Sequence, residues 1–297
     1  MEPGRTQRRY VINEQPLSPR DYDVPVGWWG WNWEPPVPMS ITEIVAAGNM
    51  DTRTAALCGL ALEAHGSILI AAEHPHSGKT TTLTALLDYV PLTVRRIFVR
   101  GWAETFDYLK QTRPHDTLLL ANELSSHLPV YLWGPKAVRV FSSLQSGYAL
   151  GSTLHADSAD EAVAQLTGEL GVPAADLARV HLLMVMRIYG TGHGGYARRV
   201  VSLDRLGPAN GDVARTPLVG HVTDDDTHRH DAEAEIAFLA SLRGEDASRT
   251  REELARRSAL LDSLIRLGTF GIPEVRAALA TDRGEALPIQ LRGDPVQ

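Results

Sequence analysis

Three observations predict an α/β fold, a mostly parallel sheet with helices on both faces plus a C-terminal helical tail. Short apolar runs alternate with helix-period segments, one such run enters a glycine-lysine-threonine turn that opens a helix, and the last third carries leucines at helical spacing. The pattern divides the chain into an extended Pro/Trp-rich segment (1–40), the α/β domain (41–222), and a linker with C-terminal helices (223–297).

In the first segment Pro16, Pro19, Pro25, Pro35, Pro36 and Pro38 exclude a helix around the run Trp28-Trp29-Gly30-Trp31-Asn32-Trp33. Rings of that size are costly to leave in water, so the run is expected to pack on the chain's own body or on a partner. Leu57, Leu60, Ala61 and Ala64 then share a helical face, which His65-Gly66 closes with glycine as the expected left-handed residue. Residues 67–72 are continuously apolar, as in a strand covered on both faces. Leu83, Leu86, Leu87 and Val90 mark a second helix, which Pro91 stops. Residues 93–99 and 117–121 read as further buried strands, 135–144 as a helix and 148–154 as a strand. Ser158 with Glu161 forms a capping box for a helix burying Ala159, Ala162, Val163, Leu166 and Leu170. After 181–188 and 196–206 the alternation fades, and the polar run 224–231 reads as an exposed linker. Leu254, Leu261, Leu264 and Ile265 form a stripe ended by Gly268, and Pro273 opens another helix.

The chain's 297 residues, 43% hydrophobic and 22% charged, exclude a collagenous or wholly disordered protein. With 29 Lys+Arg against 36 Asp+Glu, net −7, no global basic field argues for nucleic acid. The single cysteine, Cys58, lies on an apolar helical face and reads as a buried thiol in a reducing, intracellular setting. No apolar stretch approaches the roughly 20 residues of a membrane span, and the N-terminus lacks the apolar core of a secretion signal.

The chemistry concentrates in Glu73-His-Pro-His-Ser-Gly-Lys-Thr-Thr-Thr. There a strand meets a helix through a tight loop, the setting of a phosphate-binding turn. Gly78 and the amides that follow it can point N–H groups at an anion, the helix N-terminus adds partial positive charge, Lys79 supplies a full one, and the Thr80 hydroxyl is available to Mg²⁺. The first glycine of G-x-x-x-x-G-K-[ST] is replaced by Glu73. Pointing inward at about 6 Å from a phosphate, that carboxylate would cost roughly 3 kcal/mol at an effective dielectric of 20; pointing outward, almost nothing. Two further elements accompany the loop. Residues 116–123 form an apolar strand delivering Glu123 at its C-terminal edge, where a carboxylate polarises water or holds Mg²⁺ through water; a carboxylate that merely caps the following segment is the alternative. Residues 151–158 place Ser152, Thr153 and His155 at a strand end beside the loop. His74 and His76 have no Cys or acidic partner at a metal-binding spacing.

Taken in order, these residues resemble the secretion ATPase superfamily, the motors of type II and type IV secretion and of type IV pili, including archaeal pilus and archaellum ATPases. Residues 77–87 are similar to the family's Walker A and its helix, and Ala121-Asn-Glu-Leu-Ser to its Walker B. Residues 144–159 are similar to its threonine-glycine-histidine turn and His box, and Arg198-Arg199 to the basic strand that follows. The chain departs from the pattern at Asn122, Ser125 and Tyr148, and at the acidic Asp box, where Arg100 and Gly101 stand in acidic positions and only Glu104 keeps a carboxylate.

The resemblance implies a RecA-like P-loop NTPase core that takes ATP and Mg²⁺. Ser77, Gly78, Lys79, Thr80 and Thr81 would bind nucleotide, Thr80 and Glu123 the metal, and Glu123, Glu104 and His155 would serve catalysis. It further implies slow ATP hydrolysis in support of secretion or pilus assembly at the cytoplasmic face of the inner membrane, as a homo-oligomer or beside an intact ATPase. A hydrolysis-deficient nucleotide-binding or scaffold paralogue is the alternative.

Overall fold

Eight strands build the sheet: β1 (Ile68–Ala71), β2 (Arg95–Phe98), β3 (Thr117–Leu124), β4 (Ala149–Leu154), β5 (Leu182–Gly190), β6 (Tyr196–Ala209), β7 (Asp212–Val222) and β8 (Thr227–His230). The helices are α1 (Ile41–Ala46), α2 (Thr52–Glu63), α3 (Lys79–Leu86), α4 (Gly134–Ser143), α5 (Ala159–Ala164), α6 (Ala174–Leu177), α7 (Ala232–Arg243), α8 (Ala247–Arg266) and α9 (Ile272–Asp282). The computed structural model describes residues 22, 23, 28, 37–191 and 195–285.

Strand order is β2-β3-β4-β1-β5-β6-β7-β8. From β2 to β5 all pairings are parallel, and from β5 to β8 they are antiparallel. The sheet is thus a predicted parallel core extended by an antiparallel ribbon. Side chains alternate between two apolar layers. Ile68 and Ile70 of β1 join the layer under α2, α3 and the C-terminal helices, while Leu69 and Ala71 join the layer under α4 and α5. Helices therefore cover both faces, as the alternation predicts.

Several boundaries differ from the sequence reading for physical reasons. At the end of α2 it is His65, not Gly66, that takes the left-handed conformation, at φ 60°. Its ring is held there by carbonyls, with Nε2 3.0 Å from Gly147 O. Gly66 is required instead by proximity, since a Cβ would sit 2.5 Å from the Ala61 carbonyl. β2 is an edge strand, and only Ile97 of its four residues is buried. At α5, Ser158 Oγ accepts the Glu161 amide at 3.2 Å, but the Glu161 carboxylate accepts from Asp157 N at 2.7 Å, so the capping box closes one residue early.

The expected linker at 224–231 is the largest correction. It contains a turn and β8, which pairs with β7 from Val219↔His230 to Val222↔Thr227. The C-terminal helices are likewise part of the main core. Leu254, Leu261, Val275 and Leu279 are buried in the same layer as α2 and α3. Pro273 lies in the first turn of α9, as expected, and Gly268 is left-handed after α8 at φ 70°. Cys58 is fully buried, and burial pushes its thiol up to about 12.

Trp28 packs on the chain's own body, donating from Nε1 to Thr84 Oγ1 at 2.9 Å on α3 and meeting Phe98 edge to face. Trp29, Trp31 and Trp33 lie outside the described residues. None of the described helices is long and apolar enough to cross a membrane.

Candidate phosphate-loop site

β1 ends in the loop that opens α3. His76 and Gly78 both adopt positive φ, 61° and 91°, turning the chain sharply so that Gly78 becomes the N-cap of α3 without a side-chain cap. The first amides of the helix are left for an external acceptor. Glu73 points outward: its side chain is 65% exposed, so the repulsion that an inward carboxylate would impose does not arise. Ser77 is buried, and its Oγ receives and donates no hydrogen bond. Lys79 is buried beneath the loop and donates from Nζ to Ala72 O at 3.2 Å. Burial lowers its pKa, and the Glu123 carboxylate opposes that shift. Arg198, from β6, reaches the loop from the side, donating from Nε to His76 O at 2.9 Å. Arg199 does not come with it, pairing instead with Asp226 at 2.7 Å.

Glu123 arrives by a device the sequence reading did not foresee. Along β3, Leu118 and Leu120 face α3, while Leu119 and Ala121 face the opposite layer. Simple alternation would send Glu123 to that opposite layer as well. The β3–β4 register skips a residue, pairing Ala121 with Ser152 and then Glu123 with Thr153. The extra residue, Asn122, is a bulge, and it turns Glu123 to the side of α3 and Lys79. Thr153 Oγ1 fixes the bulge by donating to Asn122 O at 2.8 Å.

His155, just past β4, stands against Glu123 with Nε2 3.1 Å from Oε1. Its Nδ1 donates to Glu73 O at 2.9 Å, tying the histidine to the first position of the loop. The adjacent Glu123 carboxylate raises the His155 pKa, with partial burial and the Lys79 charge opposing. Ser77, Gly78, Lys79, Glu123 and His155 therefore converge at the C-terminal edge of β1, β3 and β4, where open parallel sheets bind ligands. Thr80 and Thr81 are half-buried in the first turn of α3.

Glu104, the third residue expected to serve catalysis, is engaged within its own loop. It is buried, and its carboxylate accepts from Tyr22 Oη at 2.8 Å, Phe106 N at 2.6 Å and Arg100 N at 2.9 Å. Those bonds hold the 100–106 loop and dock Tyr22 on it. The sequence reading also passed over His127, four positions after Glu123. The loop carrying it folds back beside β3, and its ring centroid lies 6.2 Å from that of His155.

The residues present fit a nucleotide phosphate with Mg²⁺. The helix mouth has uncapped amides, an ammonium stands beneath it, and the buried Ser77 Oγ lacks a hydrogen-bond partner. The strand order, with helices on both faces, defines an α/β protein whose mostly parallel sheet carries the Gly78 turn at the C-terminal edge of its strands.

No family model matches the chain. It is similar to the uncharacterized protein MJ0900 of Methanocaldococcus jannaschii, 27% identical over 277 residues, which cover 81% of this chain and 48% of that protein. The chain thus spans about half the length of that relative. Among solved structures it is similar to the ATPase DotB of Legionella pneumophila, with TM-score 0.41, 11% identity, and coverage of 86% of this chain and 64% of that one. It is also similar to the VirB11 ATPase of the Brucella suis type IV secretion system, solved with sulphate, with TM-score 0.37, 18% identity, and coverage of 54% and 53%.

Proposed function

We propose that this chain is a secretion- or pilus-type ATPase core that binds ATP·Mg²⁺ and hydrolyses it slowly. The observation that carries the reading is the bulge at Asn122, which brings Glu123 to the same side of the sheet as Lys79 and the mouth of α3. Amides of residues 77–81 and the Lys79 ammonium hold the phosphates, and Thr80 with Glu123, through water, would hold the metal. Mg²⁺, when bound, neutralises phosphate charge. Glu123 accepts a proton from the attacking water, and His155 positions that carboxylate while reporting on the loop through Glu73 O. Turnover is slow because Glu123 works without a second carboxylate, Glu104 being engaged by Tyr22, Arg100 and Phe106. The same engagement favours the alternative, a nucleotide-binding scaffold that does not hydrolyse and partners an intact ATPase. In either case we place the protein with secretion or pilus assembly components at the cytoplasmic face of the membrane, in a homo- or hetero-oligomer.

Steady-state phosphate release, measured beside a Lys79→Ala control, separates the two. Release well above the control supports the enzyme. Release equal to the control, with nucleotide still bound, leaves the scaffold.

A further inference from the structure

The loop after β3 folds back on the strand that it leaves. Leu132 N donates to Glu123 O at 2.9 Å and Ser125 N to Leu132 O at 3.2 Å, making a parallel bridge between Leu124 and Leu132. His127 rides on this loop, its amide donating to Ser125 Oγ at 3.2 Å. The fold-back brings one donor atom each of Glu123, His127 and His155 within 4.8 Å of one another.

Two independent features aim these atoms at an ion. Glu123 is about nine-tenths buried, at 8% exposure, and its Oε1 is aimed into the cluster, 3.1 Å from His155 Nε2. At His155, the carbonyl of Glu73 can only accept, so Nδ1 carries the proton and Nε2 is the nitrogen turned toward the cluster. A second ring nitrogen bonded to a carbonyl is the outer-sphere arrangement that orients metal-binding imidazoles. The 3.1 Å between Glu123 Oε1 and His155 Nε2 is close to the edge of a tetrahedron with bonds of about 2.0 Å. His127 is exposed, which leaves its side chain free to rotate toward the other two. Two imidazoles with one carboxylate suit zinc-class ions, whereas Mg²⁺ takes oxygen donors.

We propose that Glu123, His127 and His155 form a site for a zinc-class divalent ion, with water completing a four-coordinate shell. The site goes beyond the proposed ATP·Mg²⁺ chemistry and uses the same carboxylate, so an ion held there withdraws Glu123 from water activation. His127 makes the difference between the two roles, since nothing in the phosphate-loop reading requires it.

The test is a Co²⁺ titration of the full chain without nucleotide, followed by visible d–d absorption. The expected result is one ion per chain with the intense bands of four-coordinate Co²⁺, bleached by stoichiometric Zn²⁺ and indifferent to excess Mg²⁺. His127→Ala should weaken binding at least about tenfold and remove those bands, and Lys79→Ala should leave them intact. Weak six-coordinate bands, displacement by Mg²⁺, or an unchanged His127→Ala titration would overturn the site. Loss of ATP binding with retained Co²⁺ bands refutes the nucleotide reading alone, and the reverse pattern refutes the metal site alone.

Discussion

Glu123 owes its position to one extra residue. Replacing it by Gln preserves size and removes the charge that takes up a proton in the proposed mechanism, so Glu123→Gln should retain nucleotide while phosphate release falls by about 10²-fold or more. Gly78 is constrained from two sides, by φ 91° and by the Arg198 side chain, whose Cδ would lie 3.1 Å from an added Cβ. Gly78→Ala should therefore lower unfolding free energy by about 1–3 kcal/mol in denaturant titration and weaken nucleotide binding in parallel. The loop was legible from its place between an apolar strand and an amphipathic helix, since glycine, lysine and threonine at that spacing are a weak signal alone. Glu104 and His127 were not legible in the same way. A carboxylate in sequence carries no sign of whether Tyr22 or a phosphate will face it, and His127 reaches the site only because its loop doubles back.

At the scale of elements, β8 shows what a polar pattern conceals. Its histidines and arginine read as solvated linker, yet His230 lies between two carboxylates, 2.7 Å from Asp51 at the head of α2 and 2.5 Å from Glu235 on α7. The ladder with β7 and the ion pairs of His230, rather than apolar alternation, hold the strand. Burial works against the His230 charge, but the two carboxylates more than offset it and raise the pKa to about 9. For Asp51, burial is likewise outweighed by His230 and the Thr54 amide, leaving it at about 2. A histidine raised from 6.5 stabilises the fold fully below 6.5 and loses that contribution as pH rises through 9. The depressed aspartate stabilises above 3.8 and loses its contribution as pH falls toward 2. Stability should therefore be greatest between those windows and decline by about 2 kcal/mol from pH 6.5 to pH 9. His230→Gln should flatten that decline in thermal or urea unfolding followed across the same range. The parallel core, by contrast, was legible almost throughout, because strands covered on both faces must be continuously apolar.

Over the whole molecule, two layers of apolar side chains sandwich one sheet, and the C-terminal helices belong to the layer that supports α3. Arg257 of α8 joins them to α2 through a buried contact with Glu63, and it meets Asp282 of α9 at 2.7 Å. Arg257→Met removes the guanidinium shared by the two carboxylates but leaves Arg256 on Asp282 and Arg283 beside Glu63, so it should cost about 1.5–3 kcal/mol in equilibrium unfolding, loosening the support of α3 with it. Trp28 reaches the same layer from outside the α/β segment, so the aromatic run is in part a clamp over α3. The composition predicted burial for those rings but could not choose between the chain's own surface and a partner's.

All these scales serve one claim, that the turn at Gly78 with Lys79 beneath it seats a nucleotide phosphate opposite Glu123. Titration of the full chain with a fluorescent ATP analogue in the presence of Mg²⁺ tests it most directly. The account predicts saturable binding at one site per chain, weakened at least about tenfold by Lys79→Ala and competed by unlabelled ATP. Binding that never saturates, or that Lys79→Ala leaves unchanged, would contradict it.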